Sequence, residues 1–246
     1  EETESYYREA LELSRRTLGA DHRNTISTIN NMGALLHGQG RLAEAEPYWR
    51  EALERSRRAW GEDHPFTITS VSNLGSLLLA QGKADEAAPL IQEALRKRRT
   101  ILGEENPQTL ISLISMGDLL IAQGRPADAL DLLVPHDAAI RIAFAGSNAH
   151  RIGSFLSMLG KARTRLREFA AAEANLLEAS EIFVAVRGPT HRNTLACDSL
   201  IVTLYEEWHA ATPGSGYDAK AREWRRISSG RAATGEQQPP ATPPAG

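Results

Sequence analysis

Several features that would define a class of protein are scarce in this sequence. It has one cysteine, Cys197, so an internal disulfide is excluded and a reducing compartment, the cytoplasm, is expected. No run of about 18 apolar residues occurs, as a membrane span would require, and the first residues lack the pattern of a secretory signal. The net charge of −3 provides no excess of positive charge to attract nucleic acid. The hydrophobic share of 41% is that of an ordinary soluble globular protein.

What the sequence does contain is a repeat with a period of 42 residues. Three copies of one pattern begin at residues 18, 60 and 102: Leu18–Thr25, Trp60–Thr67 and Leu102–Thr109. A fourth copy, Arg187–Thr194, stands one step of 42 and one of 43 beyond the third. The copy expected between them keeps only its asparagine, Asn148. A fixed period of this length predicts an array in which each unit packs on its neighbours.

Each unit is predicted to form two helices, named A and B. In the first complete unit, helix A covers roughly residues 25–37 and helix B roughly residues 42–60, with a glycine-containing turn between them. Small residues recur at one position of each helix. They are Gly33, Gly75, Gly117 and Gly160 in helix A, and Ala45, Ala87, Ala129 and Ala172 in helix B. A glycine inside a helix costs about 1 kcal/mol relative to alanine, so its repetition predicts that helices A and B cross closely.

Prolines and composition predict where the repeat is interrupted. Pro47 and Pro89 lie 42 residues apart and predict a bend near the start of helix B. Pro135 falls in the middle of a B helix and predicts a kink or break there. A last helix is predicted from about residue 217 to 227, followed by a disordered proline-rich tail over residues 227–246. Because residues 1–11 align with the middle of a B helix, the chain is predicted to be the C-terminal piece of a longer protein.

These residues resemble the tetratricopeptide repeat (TPR). The resemblance rests on the small residue of helix A, Gly33, and on Ala45, Tyr48 and Ala52 of helix B. The period of 42 and the loop pattern Leu-Gly-x-x-His-Pro-x-Thr are similar to the long version found in kinesin light chains. In that family Asn-Asn-Leu-Ala or a close variant follows the loop, and here it reads Asn-Asn-Met-Gly in residues 30–33. The chain's end also resembles the TPR region attached to bacterial serine/threonine protein kinases, although no kinase motif is present.

The resemblance implies an all-α fold, a right-handed superhelical solenoid of antiparallel helix pairs covering residues 1–226. Residues 1–18 are predicted to be the second helix of a truncated repeat. Full repeats are then predicted near 19–60, 61–102, 103–144, 145–187 and 188–226. HEAT repeats have a similar period of about 40–47 residues, but they do not explain the recurring Gly-Ala-aromatic-Ala set.

In TPR arrays helix A lines the inner groove, so the resemblance implies a peptide-binding site on the A helices. The residues predicted to line it are Ser27, Asn30, Asn31, His37, Thr69, Ser72, Asn73, Ser76, Ser115 and Asp118. An asparagine amide donates to and accepts from a peptide backbone, so this set suits an extended segment. The alternative for Asn31 and Asn73 is that they only join adjacent helices.

Other patterns are better explained by structure than by chemistry. The string G-x-G-x-x-A at residues 38–43 lies between two helices, whereas a dinucleotide site needs a strand before it. His22, His64 and His191 occupy one repeat position, a repeat or more apart, so capping a helix or loop is favoured over metal binding. Cys197 on an apolar helix face is predicted to be core. The arginine-rich ends of the B helices suit a helix C-terminus, and nearby acidic residues predict local compensation.

The sequence therefore predicts a binding module with no cofactor, no metal and no enzymatic activity. Its partner is predicted to be a protein or peptide held in the groove, within a larger protein and, by resemblance, one that carries a kinase. Nucleic acid binding and membrane insertion are not expected. The alternative is a structural element that packs on its own copy or on its parent protein, through the exposed helix of the truncated first unit.

Overall fold

The computed structural model describes residues 2–236, which are mostly helical and contain no strand. The fold class is all-α, built from antiparallel helix pairs as predicted. Two short 3₁₀ turns lie at Val134–His136 and Gly146–Asn148. The helices are α1 (Glu2–Leu18), α2 (Arg23–Gly38), α3 (Leu42–Trp60), α4 (Pro65–Ala80), α5 (Ala84–Leu102), α6 (Pro107–Ala122), α7 (Pro126–Leu133), α8 (Asp137–Ala143), α9 (His150–Arg165), α10 (Phe169–Arg187), α11 (Arg192–Ala211) and α12 (Tyr217–Glu236).

The chain divides into two compact units, residues 1–123 and 124–246. In the first unit, α2 packs on α3 and α4 packs on α5, and each pair also contacts the helix that follows it. The core of this unit is apolar and lies between the A and B helices. Its fully buried members include Ile29, Met32, Leu36, Val71, Leu77, Leu78 and Ile91.

The glycines of helix A mark the closest approach of each pair. A Cβ placed on Gly33 would stand 2.6 Å from the ring of Trp49 in α3. A Cβ on Gly75 would stand 3.0 Å from Ile91 Cγ1 in α5. Any larger side chain would push the helices apart, so the predicted close crossing is confirmed.

Capping groups explain where the A helices begin. The Nδ1 atoms of His22 and His64 accept hydrogen bonds from the backbone amides two residues on, each at 3.2 Å. Asn106 does the same for α6 through its Oδ1, at 2.9 Å. These bonds satisfy amides that have no partner inside the helix. The capping role predicted for the repeated histidines is therefore confirmed.

The B helices tolerate one proline and break at another. Pro47 and Pro89 lie inside α3 and α5, and neither ends its helix. At Pro135 the helix does stop: α7 ends at Leu133, a 3₁₀ turn follows, and α8 begins at Asp137. The predicted break is confirmed, because a proline deep in a helix removes a backbone donor and clashes with the preceding turn.

In the second unit, α9 and α10 form an antiparallel pair, and α11 pairs with α12. The glycine contacts recur here. A Cβ on Gly160 would lie 2.4 Å from Leu176 Cγ, and one on Gly153 would lie 3.0 Å from the ring of Phe183. Cys197 is buried, 1% exposed, as expected of a core residue.

The last helix is longer than composition predicts. It continues past residue 227 to Glu236, through residues that the sequence assigned to a disordered tail. Arg231 explains the difference, since its Nη1 lies 2.6 Å from the carboxylate of Asp198, which is wholly buried in α11. Residues 237–246 of the predicted tail lie outside the described residues. Within residues 2–236 no helix is long and apolar enough to cross a membrane.

Candidate functional site

The A helices of the first unit present a largely polar face to solvent, here called the helix-A face. It carries three partly or fully exposed positions from each helix. They are Ser27, Asn31 and Ala34 of α2, Thr69, Asn73 and Ser76 of α4, and Ile111, Ser115 and Asp118 of α6. Eight of these nine side chains are uncharged, Asp118 being the exception. The face therefore suits a ligand recognised through its backbone more than one recognised through its charge.

Side-chain hydrogen bonds join the neighbouring A helices. Asn73 Nδ2 donates to Asn30 Oδ1 at 2.8 Å, which links α4 to α2. The hydroxyls of Ser76 and Ser115 lie 3.4 Å apart and link α4 to α6. Four of the predicted groove residues are thus engaged with one another. For Asn73 this is the helix-joining role that the sequence left open, and the same bonds make the helix-A face continuous across the three helices.

The remaining predicted residues differ in how accessible they are. Asn31 is exposed at the centre of α2, and Ser27 is half-buried one turn before it. Thr69 is half-buried and donates its hydroxyl to the carbonyl of Pro65 at 2.9 Å. The ring of His37 is tilted against Trp49, with the centroids 5.4 Å apart. Asn31 is therefore the predicted amide best placed to reach a ligand.

Ser72 lies beneath the helix-A face instead of on it. It is only 6% exposed, and its hydroxyl accepts a hydrogen bond from Arg98 at 3.2 Å. The same arginine Nη1 donates to Ser112 Oγ at 2.7 Å and to the carbonyl of Gln108 at 3.2 Å. Ser72 thus takes part in a hydrogen bond inside the unit, and a ligand on the surface does not contact it directly.

Arg98 is a buried residue that sequence reasoning missed. It lies in the arginine-rich end of α5, yet it is 3% exposed, and burial lowers its pKa to about 10. The signal was present in the repeat, because Arg98 stands 42 residues after Ser56, which is itself fully buried. Ser56 and Arg98 therefore occupy the same buried position in successive repeats.

Several other members of the basic runs are compensated locally, as predicted. Arg57 Nε lies 3.0 Å from Glu62, and Arg99 Nη2 lies 2.8 Å from Glu104. Lys97 Nζ lies 2.9 Å from Glu93 on the same helix. These pairs leave little net positive potential along the ends of α3 and α5, so a basic ridge for an acidic partner is not supported there.

In the second unit, aromatic rings hold the final helix pair together. The rings of Trp208 and Tyr217 stack with centroids 4.0 Å apart, and Phe169 stacks on Trp208 at 5.5 Å. Tyr205 donates its hydroxyl to Glu173 at 2.6 Å, and burial together with this carboxylate raises the pKa of Tyr205. The arrangement closes the end of the unit and leaves these polar groups satisfied.

Comparison with known proteins identifies the architecture. The family model described as tetratricopeptide repeat matches residues 1–48, 25–100 and 66–134, which together cover 134 of the 246 residues. A search of curated proteins found no significant match.

Solved structures show the same fold at low sequence identity. The crystal structure of BtubC (BKLC) from P. vanneervenii is 20% identical with a TM-score of 0.66, over 99% of this chain and 95% of that one. A second crystal structure is that of nearly identical TPR-like repeats from a Podosopora anserina putative kinesin light chain. It is 18% identical with a TM-score of 0.59, over 88% of this chain and 99% of that one. At these identities the likeness establishes the fold alone, a TPR-like helical solenoid similar to kinesin light chain-like repeat proteins.

Proposed function

Because the chain belongs to the tetratricopeptide repeat family, we propose that it is a protein-interaction module that holds an extended peptide or protein segment along the helix-A face. Tetratricopeptide repeats generally mediate protein–protein interaction. The family is also generally non-enzymatic, and the proposal assigns no reaction to this chain. No group of three or more histidine, cysteine, aspartate or glutamate side chains suited to a metal occurs among residues 2–236.

The exposed amide of Asn31 is the observation that carries this proposal. The side chains of Asn30 and Asn73 are hydrogen-bonded to each other at 2.8 Å, which holds the surface around Asn31 in place. An amide offers both a donor and an acceptor to a peptide backbone. The neighbouring positions are small or polar, so an extended segment can lie against them without a demand for one particular side chain.

A peptide selection tests the proposal directly. Peptides that bind the full chain are selected from a random display library, and their affinities are measured by calorimetry. Asn31→Ala is expected to weaken the selected peptides about fivefold to tenfold, the effect of one hydrogen bond of about 1 kcal/mol. Glu54→Ala is the matched control, since Glu54 is exposed on the B helix α3. Equal losses in both variants, or none in either, would place binding elsewhere.

Self-association is the second candidate function, and α1 provides the observation that favours it. Tyr6 is 71% exposed, Leu13 51% and Leu18 46%, all on this one helix. The repeat equivalent of Tyr6, Tyr48 in α3, is half-buried against its neighbours. Sedimentation over a wide concentration range would reveal association, and Leu13→Glu would abolish it if this surface is responsible.

Two finer predictions from the sequence also belong here. We propose a cytoplasmic location, supported by the single buried cysteine, Cys197. Attachment to a signalling kinase remains a prediction from the resemblance of the chain's end.

A further inference from the structure

Four basic side chains of the second unit meet at one end of the α9–α10 pair. Gly153 packs against Phe183 where these antiparallel helices cross. His150 lies one turn before Gly153, and Arg187 lies one turn after Phe183, so the start of α9 and the end of α10 come together. Arg151 stands beside His150, and the short loop after α10 returns His191 to the same end, with its amide 3.4 Å from the Gly188 carbonyl. We call His150, Arg151, Arg187 and His191 the cationic cluster.

The members of the cationic cluster act on one another electrostatically. Burial, then Arg187 and Arg151, lower the pKa of His150. Burial and Arg187 lower the pKa of Arg151. Burial, Arg187 and the adjacent Arg192 lower that of His191. Like charges brought together in this way disfavour the protonated form of each. An anion placed among them would relieve the repulsion.

Carboxylates compensate most arginines of this chain but not these. Arg57, Arg99 and Arg141 each form an ion pair with glutamate or aspartate at 3.0 Å or less. In residues 2–236 no ion pair joins Arg151 or Arg187 to a carboxylate. Arg187 is exposed and Arg151 is half-buried, so both are accessible to a ligand.

The repeat shows that this basic character is local. The residue just before the loop glycine is apolar in three copies, Leu18, Trp60 and Leu102, and in the fourth it is Arg187. Arg151 is held in place by the ring of Phe144, whose centroid lies 5.6 Å from its guanidinium carbon. The surface is therefore built from a substituted repeat position and from an arginine that is already oriented.

The hydrogen bonding of His191 determines which ring nitrogen can donate to a ligand. His191 Nδ1 accepts the amide of Asn193 at 3.1 Å, so its Nε2 carries the proton of the neutral ring. The α9 N-terminus has Ala149 at its cap position and no side-chain cap, in contrast to the histidine and asparagine caps of α2, α4, α6 and α11. Two guanidinium groups and an imidazole N–H suit a group with several oxygen acceptors, since arginine matches phosphate in bidentate fashion.

We propose that the cationic cluster binds the phosphoryl group of a phosphorylated serine or threonine in a protein segment. A phosphate monoester supplies close to two negative charges and three acceptor oxygens, whereas a carboxylate supplies one charge and two oxygens. The site lies in the second unit and involves no residue of the helix-A face, so it stands or fails separately from the peptide-binding proposal.

The test uses the full chain and two simple probes, inorganic phosphate and a short capped peptide with phosphoserine between alanines. Binding is followed by two-dimensional ¹H–¹⁵N NMR at constant ionic strength. Saturable shifts are expected at the amides of residues 150–153, of Gly188 and of residues 190–193. Arg187→Gln and Arg151→Gln are each expected to weaken the phosphopeptide about tenfold, as for the loss of one charge-assisted hydrogen bond. Arg96→Gln is the matched control, because Arg96 is an exposed arginine of the first unit.

Several results would overturn the proposal. One is the absence of saturable shifts with either probe. Another is an equal response to the unphosphorylated peptide, or an equal loss in the Arg96→Gln control, since both would indicate general charge screening. Stronger binding of a short single-stranded oligonucleotide than of the phosphopeptide would reassign the cluster to nucleic acid. The circular dichroism of each variant is compared with that of the wild type, and Arg187 is exposed, so Arg187→Gln is expected to keep the fold.

Discussion

Replacing Arg231 with methionine removes the cation from a carboxylate that has no access to water. Asp198 is 0% exposed, and Arg231 Nη1 lies 2.6 Å from its Oδ1 and 2.8 Å from its Oδ2. The remaining partner of Asp198 is the hydroxyl of Ser180, at 3.2 Å. Methionine keeps the length and apolar stem of the arginine but leaves the buried charge with one neutral hydrogen bond.

The magnitude follows from the burial of the pair. Breaking a buried ion pair by removing one partner costs about 3–5 kcal/mol. The side chain of Arg231 is 22% exposed, so water can reach the space it vacates, and the low end, about 3 kcal/mol, is expected. Since about 1.4 kcal/mol corresponds to a factor of ten, the opening of α12 becomes roughly a hundredfold more frequent.

Hydrogen exchange measured by mass spectrometry is the assay, because it reports on α12 separately from the other helices. Amides in residues 217–236 are expected to exchange about a hundredfold faster in Arg231→Met than in the wild type. The control is Arg226→Met, which removes the same charge from an exposed position of the same helix. The double variant Asp198→Leu/Arg231→Met is expected to recover part of the protection, since no buried charge remains in it. Unchanged exchange in Arg231→Met would refute the reasoning that this pair extends the helix.

Three further substitutions follow from the packing, the caps and the charges. Gly160→Ala, whose Cβ would lie 2.4 Å from Leu176 Cγ, is expected to destabilise by about 1–3 kcal/mol in urea denaturation, whereas Gly230→Ala, with nothing within 4 Å, is expected to be neutral or stabilising. Equal effects of the two would argue against a tight crossing. His64→Ala removes a helix cap and is expected to cost about 1 kcal/mol, seen as a lower melting temperature; an unchanged melting temperature would contradict the capping role. Hydrogen bonds from two cationic side chains and an amide lower the pKa of Glu46 from 4.5 to about 2, so its contribution to stability is present above about pH 4.5 and lost as pH falls to about 2. Glu46→Gln should therefore be less stable than the wild type at pH 7 and converge with it near pH 2, and a constant difference across this range would refute the argument.

The period and the breaker residues predicted the helices well. A spacing of 42 residues fixes which positions meet, because each unit repeats the same contacts. Gly33, Pro135 and His64 could be interpreted from their position alone, since the repeat fixes the helix that Gly33 faces, and Pro135 and His64 act on the backbone beside them. The helix pairs, the break and the cap could accordingly be predicted from the sequence.

Contacts between distant side chains were harder to predict. The extension of α12 depends on Arg231 and Asp198, 33 residues apart in the chain, and composition does not encode such a pair. The bond between Asn73 and Asn30 likewise depends on which way two amides turn, so the sequence could only leave that role open for Asn73. The burial of Arg98 was not predicted, because an arginine is usually found at the surface, although its repeat position indicated the interior.

The glycine crossings also bear on how such a chain diversifies. The glycine stays the same at Gly33, Gly75 and Gly160, while the residue facing it changes from Trp49 to Ile91 to Leu176. Each helix pair therefore keeps the glycine of helix A constant, while the side chain of helix B that packs on it varies in size. Because contacts reach only the neighbouring repeat, a substitution at this helix-B position alters the tilt of its own pair and leaves distant pairs unchanged. The sequences of duplicated repeats can therefore diverge one repeat at a time, while the packing of each repeat on its neighbours is retained.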